Sequence, residues 1–240
     1  MAPSSPLPPA PPPPPPSGRP RRLHLFDLDG TLIHGSSAAV EISRQLGLDE
    51  EIHALELAFA AGGMTPPDFA SRACALWSEL TEEHVDAAFA GAPWLTGIGE
   101  VWEAIRERGD HCAVISLSPD FFVGRLLLAA PPSPGGRSGR GADATHGSRW
   151  PAVPFREPLD PDGILSAAAK VRIADELCAK FGVSRSDCVA YGDSMSDAEL
   201  FGAVPLSVAV NADRHLEGLA SLDYRGSDLR EAYGLVGTGR

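Results

Sequence analysis

Four short apolar segments, each ending in polar or turn-forming residues, constrain the fold of this chain more than any other feature. They cover residues 22–30, 111–119, 187–195 and 205–211. Apolar runs of this length, bounded by turn residues, are typical of buried strands. Helical periodicity or turn residues follow each segment, and strands that alternate with helices usually pair in parallel. The sequence therefore predicts an α/β fold with a parallel sheet and helices on both faces.

Residues 36–91, between the first two predicted strands, have a different character. They carry helical signals and little strand character, and Thr65 stands before two prolines where a helix N-cap is expected. We therefore predict a small helical domain inserted after the first strand. The sheet domain then comprises residues 22–35 and 92–240.

Two segments lack the apolar periodicity of a packed core. Residues 1–21 are dominated by proline, which favours a disordered or polyproline II tail. Residues 128–142 are rich in proline, glycine and arginine, and we predict a flexible insertion there. A ligand for an SH3-type domain is the less favoured alternative for the tail, and a gene-model artefact is an alternative for both segments.

The charge balance and the lack of a long apolar run exclude two classes of partner. The chain has 32 acidic and 20 basic side chains, a net charge of −12, whereas a nucleic-acid surface needs excess lysine and arginine. No run approaches the roughly 18 apolar residues of a membrane span. The four cysteines form no CxxC pair, which favours a reduced compartment. We expect a cytoplasmic protein that binds neither nucleic acid nor membrane; nothing indicates its oligomeric state.

The first predicted strand ends in two carboxylates, Asp27 and Asp29. Being two residues apart, they point to the same side of a strand. One carboxylate can attack phosphorus while the other handles the proton of the leaving group, and Thr31 can donate to a phosphate oxygen. The alternative of an EF-hand calcium loop fails, because Leu32 and Ala38 occupy the positions that need glycine and glutamate.

Three further elements end a strand or begin a helix. Ser116 ends the second strand, where its hydroxyl can bind a phosphoryl group. Lys170 lies on the apolar stripe of a helix predicted over residues 166–181, near the N-terminus, where the helix dipole disfavours a cation unless an anion is close. Asp193 and Asp197 follow the third strand and suit a hard divalent cation. Ligands bind at the carboxyl ends of parallel strands, so we expect one shared site.

The order of these elements resembles the four motifs of the haloacid dehalogenase (HAD) superfamily. DLDGT at residues 27–31 corresponds to the first motif, Ser116 to the second, Lys170 to the third and GDSMSD at residues 192–197 to the fourth. The resemblance covers residues 22–226. It implies a Rossmann-like core with a helical cap, and a Mg²⁺ cofactor.

The resemblance also implies a role for each aspartate. Asp27 is expected to be the nucleophile and a metal ligand, and Asp29 the acid and base whose backbone carbonyl also binds the metal. Asp193 is expected to bind the metal directly, with Asp197 at its edge. Superfamily dehalogenases and P-type ion pumps carry a different residue at the place of Asp29, so a phosphatase or a mutase is implied.

The helical insertion resembles the cap of the phosphoserine phosphatase-like branch of the superfamily. A cap that covers the site excludes large substrates, so we expect a small phosphorylated metabolite and hydrolysis through an aspartyl-phosphate. A phosphosugar mutase and a catalytically retired binding module are the alternatives.

Three features of the sequence concern the substrate preference of that branch. Ser36 stands where a glutamate usually holds the substrate ammonium, and the next acid is Glu41. The two residues after Ser116 are not the usual glycines. An arginine that holds a substrate carboxylate would fall at or near Arg72, and a structural role beside Phe69 and Leu76 is the alternative for this residue. We expect Arg72, Ser36 and His34 to determine which phosphomonoester is accepted.

Overall fold

Six parallel strands form the central sheet in the computed structural model, which describes residues 19–132 and 139–238. Across the sheet the order is β3-β2-β1-β4-β5-β6, which confirms the predicted α/β fold. In chain order the strands are β1 (Leu23–Phe26), β2 (His111–Pro119), β3 (Ala144–Ser148), β4 (Cys188–Gly192), β5 (Leu206–Val210) and β6 (Leu222–Tyr224).

Helices fill the stretches between the strands. The stretch between β1 and β2 holds α1 (Ala38–Gln45), α2 (Asp49–Ala60), α3 (Pro66–Leu76), α4 (Glu82–Gly91) and α5 (Ile98–Glu107). Later in the described chain are α6 (Asp120–Val123), α7 (Arg125–Leu128), α8 (Ala167–Phe181), α9 (Ala198–Ala203) and α10 (Leu229–Thr238). Within these described ranges, no helix combines the length and the apolar character needed to cross a bilayer.

Alternate side chains of β1 face opposite layers of the protein. Leu23 and Leu25 pack in one buried cluster with Leu177 of α8. Phe26 belongs to a second buried cluster and lies beside Trp102 of α5, with ring centroids 6.4 Å apart. Because successive residues of a strand point to opposite faces, this pattern shows a sheet buried on both sides.

The helix ends follow the signals in the sequence. Thr65 and Asp68 form a capping box at the start of α3, in which each side chain accepts a hydrogen bond from the other residue's backbone N–H. Helix α8 follows Ser166 and ends at Gly182, whose φ of 64° lies in the left-handed region that glycine adopts readily. These ends agree with the helix predicted over residues 166–181.

Helices α1–α4 form the cap, and two chain segments connect it to the sheet domain. Ile33 and Trp94 pair as an antiparallel bridge between these segments. The N–H of His34 also donates to the carbonyl of Pro93 at 2.8 Å. The chain therefore enters and leaves the cap side by side.

The flexible insertion predicted over residues 128–142 is too wide. Ala130 and Ala142, near its two ends, are buried, and the N–H of Ala142 donates to the carbonyl of Leu126 at 2.8 Å. Small side chains fit a packed position that apolar periodicity does not reveal. Residues 133–138 lie outside the described residues, as do residues 1–18 of the predicted tail.

Candidate active site

The carboxyl ends of three adjacent strands bring together most of the side chains that the sequence singles out. Strands β2 and β3 lie on one side of β1 in the sheet, and β4, β5 and β6, which come later in the chain, lie on the other side. Asp27 and Asp29 follow β1, and Asp193 follows β4. Ser116 lies in the second half of β2. Open parallel sheets bind ligands at such a switch in strand order.

Lys170 joins two of these strand ends through its ammonium group. Its Nζ atom lies 2.8 Å from Oδ1 of Asp27 and 2.6 Å from Oδ1 of Asp197, and the side chain is only 1% exposed. The two carboxylates supply the anions that a cation in the first turn of α8 requires. They also provide the charge pairing without which a fully buried lysine would not stay ionised.

Burial and neighbouring charges shift the pKa values of this pair. Burial and the Asp197 carboxylate raise the pKa of Asp27 well above its usual value, although Lys170 acts in the opposite direction. Burial alone would lower the pKa of Lys170, but Asp197 and Asp27 raise it above its usual value. Lys170 is therefore a fixed positive charge beside Asp27.

Asp27, Asp193 and Asp197 form a cluster that suits a cation. Each offers a carboxylate oxygen within 4.8 Å of the others. Burial and the charge of Asp197 raise the pKa of Asp193 to about 7, a sign of crowded negative charge. Carboxylate oxygens at this spacing fit a hard divalent cation, which would offset their repulsion.

The three carboxylates of the cluster are not equivalent. The oxygens of Asp197 accept hydrogen bonds from Lys170 and from the backbone N–H groups of Asp193 and Ser194, at 3.2 and 3.4 Å. Asp197 therefore orients Lys170 and the loop after β4. Asp27 and Asp193 retain the greater capacity to bind a cation directly.

Asp29 points away from this cluster toward a separate set of donors. Its Oδ1 accepts from the N–H of Ala38 at 2.7 Å, at the start of α1. Its Oδ2 accepts from the hydroxyls of Ser118 at 2.6 Å and Ser116 at 3.1 Å. These donors hold the Asp29 carboxyl beside Asp27 in a fixed orientation, as an acid–base group requires.

The hydroxyl that faces the open site is Ser118, which the sequence analysis did not single out. Ser116 is fully buried, and its hydroxyl donates to Asp29 and accepts from the N–H of Ser118. Ser118, in contrast, lines the cavity beside Asp29. The signal that could have found Ser118 is its spacing, because residues two apart in a strand share a face.

The turn after β1 is shaped around Asp193. Gly30 has a φ of 71°, and a Cβ atom placed on it would lie 2.1 Å from Oδ2 of Asp193. Thr31 is fully buried, and its hydroxyl lies 3.4 Å from Oδ1 of Asp193. The structure therefore places Thr31 against the Asp193 carboxylate, where the sequence analysis expected a contact with phosphate.

The chain is similar to known proteins in sequence and in fold. The sequence profile of the haloacid dehalogenase-like hydrolase family matches residues 24–201. The chain belongs to this family. A phosphoserine phosphatase of Archaeoglobus fulgidus is 25% identical over 203 residues, which make up 84% of this chain and 56% of that protein. A phosphoserine phosphatase of Idiomarina loihiensis is 22% identical over 223 residues, 89% of this chain and 93% of that protein.

Solved structures agree with the fold of this HAD-family chain. A structure described as a phospho-aspartyl intermediate analogue of phosphoserine phosphatase has a TM-score of 0.74 and 24% identity, covering 90% of this chain and 99% of the other. The HAD family, which the motifs predict, is thereby confirmed, and the fold agrees with that of a phosphoserine phosphatase. The chain spans little more than half the length of the Archaeoglobus relative.

A cavity of about 740 Å³ lies between the HAD sheet domain and the cap. Asp27, Asp29 and Asp193 line its floor at the strand ends, and residues of α1, α2 and α3 line it from the cap. His34 and Ser36, two of the three residues predicted to select the substrate, are also in its lining.

Arg72, the third of those residues, does not line the cavity; its side chain is exposed on α3. The cavity arginine is Arg44 of α1. Its Nη1 atom lies 2.5 Å from Oε2 of buried Glu41, and the hydroxyl of Ser36 donates to Oε1 of the same carboxylate at 2.5 Å. Glu41 is therefore already neutralised by a neighbour on its own helix.

Glu56 of α2 is a cavity carboxylate that the sequence analysis missed. Its Oε1 accepts from the hydroxyl of Ser37 at 2.5 Å, and burial raises its pKa. Ser37 precedes Ala38, the residue whose N–H binds Asp29. Only a few covalent bonds separate the Ser37 hydroxyl from the Ala38 N–H, so the carboxyl groups of Glu56 and Asp29 lie within about 10 Å of each other.

Proposed function

We propose that this protein is a phosphatase that hydrolyses a small phosphomonoester with Mg²⁺ through an aspartyl-phosphate on Asp27. The observation that carries the proposal is the position of Asp27. It lies at the floor of a cavity, 2.8 Å from the buried Lys170 ammonium, with Asp193 beside it and Asp29 two residues further along the chain. This is a nucleophile, a fixed cation and an acid–base group in one place.

In the first step, a carboxylate oxygen of Asp27 attacks phosphorus and the bond from phosphorus to the ester oxygen breaks. Asp29, in its protonated form, gives its proton to the departing oxygen. Lys170 remains charged and offsets negative charge close to the reacting group. Asp193 and Asp27 are the residues that would hold Mg²⁺, which when bound offsets the charge of the phosphate oxygens.

In the second step, water attacks the phosphorus of the aspartyl-phosphate. Asp29, now ionised, accepts a proton from that water, the bond to Asp27 breaks, and free phosphate leaves. Ser118 donates to Asp29 and lines the same cavity, where its hydroxyl can contact a phosphate oxygen. Two proton transfers by one carboxyl group thus restore the starting enzyme.

The proposed substrate class is a small phosphomonoester, and phosphoserine is one candidate within it. The Archaeoglobus and Idiomarina relatives bear the name phosphoserine phosphatase. The exposed position of Arg72 and the pairing of Glu41 with Arg44 remove the two contacts expected for a phosphorylated amino acid.

A reduced, cytoplasmic compartment is also proposed, and it fits the four free cysteines.

Phosphate release from a panel of small phosphomonoesters, with Mg²⁺ or with excess EDTA, tests the proposal. We expect stoichiometric free phosphate with Mg²⁺ and none with EDTA, whereas a mutase would retain the phosphoryl group. Asp27→Asn should lose at least about 90% of the rate, which is about 1.4 kcal/mol of transition-state stabilisation. Asp223→Asn, an exposed strand residue, is the matched control. A larger residual rate in Asp27→Asn rejects the aspartyl-phosphate.

A further inference from the structure

The cavity offers far more space and apolar surface than a phosphate group requires. Cavities of 300–1,000 Å³ hold ligands of drug size, and this one has about 740 Å³. Its lining includes four aromatic side chains and three larger aliphatic ones: Phe59, Phe69, Trp77, Trp150, Val40, Leu117 and Ile164. Asp27 and Ser118 occupy only its floor.

The aromatic rings of this lining hold one another in place. Phe59 of α2 and Phe69 of α3 contact each other with centroids 5.3 Å apart. Trp77 stacks on Trp150 at 5.2 Å, and its Nε1–H donates to the hydroxyl of Ser43 at 2.8 Å. A wall whose rings are already packed loses little conformational freedom when it binds a ligand.

The polar groups of the cap are less suited to a charged amino acid. Arg44 is paired with Glu41, and Arg72 is exposed outside the cavity. Glu56 accepts a hydrogen bond from Ser37 on one carboxyl oxygen. Because a carboxylate can accept several hydrogen bonds, Glu56 can also accept one from a substrate hydroxyl or ammonium group. These groups can orient a substrate, but more of the cavity surface is apolar than polar.

We propose that the cavity takes phosphomonoesters whose alcohol carries an aromatic or bulky apolar group, bound against Phe59, Phe69 and Trp150. The inference rests on the proposed function, because it places the phosphate of the same ester at Asp27. Removing a phenyl group from water into such a pocket corresponds to about a 10- to 100-fold gain in affinity.

The test compares two esters that differ only in the apolar group, 2-phenylethyl phosphate and ethyl phosphate. Both release a primary alcohol, so their intrinsic reactivities are similar. We expect kcat/KM for the phenylethyl ester to exceed that for the ethyl ester by at least about tenfold. A ratio near one in the wild type overturns the proposal.

Two variants locate the contact. Phe69→Ala should lower the ratio of the two kcat/KM values by about fivefold or more, because it removes one face of the pocket. Leu57→Ala is the matched control, since Leu57 lies on α2 but is 73% exposed and absent from the cavity lining. Equal losses for both esters in Phe69→Ala count against the proposal, as does a changed ratio in Leu57→Ala.

Binding of phosphonates, which have no ester bond to hydrolyse, separates this inference from the proposed function. Calorimetry with Mg²⁺ present should show tighter binding of 2-phenylethylphosphonate than of ethylphosphonate. If that preference appears but no ester is hydrolysed, the proposed function fails and the apolar subsite stands. If both esters are hydrolysed and neither measurement shows a preference, the subsite alone is rejected.

Discussion

At the scale of single residues, Lys170 is the side chain on which both stability and chemistry depend. Lys170→Met leaves Asp27 and Asp197 buried without their shared counter-ion. We expect a loss of about 3–5 kcal/mol in the free energy of unfolding at pH 7 and a fall in kcat of at least about 100-fold. Urea unfolding and phosphate release measure the two effects.

Lys180→Met is the matched control for this variant, because Lys180 lies on the same helix and is exposed. It should change neither quantity appreciably. The loss of stability in Lys170→Met should also shrink as the pH falls, since Asp27 has a raised pKa and can take up a proton that relieves the repulsion. A fully stable Lys170→Met variant at pH 7 would contradict this account.

His24 gives a prediction for the pH dependence of stability. It is 1% exposed, its Nδ1 atom lies 3.1 Å from the hydroxyl of Tyr191, and burial lowers its pKa to about 3. Below about pH 6.5 the unfolded chain binds a proton at this residue while the folded protein does not. The unfolding free energy should therefore decrease by up to about 1.4 kcal/mol per pH unit as the pH falls from 6.5 toward 3.

The measurement is the slope of the unfolding free energy against pH for wild type and for His24→Asn, with Mg²⁺ constant. Because other buried groups titrate in both proteins, the difference between the two slopes isolates His24. The slope of His24→Asn should be shallower. His215→Asn, an exposed substitution, should keep the wild-type slope. Equal slopes for all three proteins would show that His24 is not held neutral.

At the scale of turns and helices, substitutions at two glycines distinguish the effect of backbone strain from that of a steric clash in the site. Gly30 and Gly47 both have positive φ angles, 71° and 68°. A Cβ on Gly47 meets nothing within 4 Å, whereas one on Gly30 meets the Asp193 carboxylate. Alanine at Gly47 should cost about 1–2 kcal/mol of stability from backbone strain, and alanine at Gly30 at least as much. Only Gly30→Ala should reduce kcat by more than about tenfold.

Unfolding and turnover of the two alanine variants, measured side by side, check this prediction. Loss of activity in Gly47→Ala would mean that backbone strain alone disturbs the site. Full activity in Gly30→Ala would mean that the Asp193 carboxylate can move away from the turn without consequence.

The same scale shows how far the sequence could predict the elements. The strands with strong apolar runs and the helix ends with capping residues were predictable, because those signals are local. Strand β3 (Ala144–Ser148) was missed because its sequence, ATHGS, is short and mostly polar or small. Strand β6 (Leu222–Tyr224) has only three residues, too few to show a period. Both strands lie at the edges of the sheet, where a regular pattern of apolar residues is less strictly required.

At the scale of the whole molecule, the cation cluster predicts a stability that depends on Mg²⁺. A ligand that binds only the folded state stabilises it by about 2.7 kcal/mol at 100 times its Kd. For a chain of this size we expect Tm to rise by about 5–10 °C. Asp193→Asn should lose most of this increase, because one of the two carboxylates best placed for the cation is gone.

Thermal unfolding followed by circular dichroism at increasing Mg²⁺ gives the comparison. Asp223→Asn, which removes one negative charge from an exposed strand position, should respond to Mg²⁺ as the wild type does. An equal rise in Tm for Asp193→Asn would show that Mg²⁺ acts elsewhere on this acidic protein. The readout requires no substrate, so it is independent of the proposed reaction.

Catalytic candidates were easier to find in the sequence than the residues around the substrate. Asp27, Lys170 and Asp193 are fixed by their places at strand ends and on a helix. The cavity wall depends on how α2 and α3 pack over the sheet, so Glu56 and Phe69 carry no local signal of their position. The expectation for Arg72 followed from its place along the chain, but α3 turns that side chain outward.

The side-by-side entry and exit of the cap have a consequence for how such proteins can diversify. Ile33 and Trp94 are paired, so the sheet domain presents two chain ends that already meet. The entropy of closing a loop between fixed ends rises only slowly with its length. A stretch of quite different size can therefore join the same two points without altering the strands beneath. One continuous exchange of coding sequence would replace the cap side chains that face the alcohol, such as Phe59 and Phe69, and leave Asp27, Lys170 and Asp193 in place.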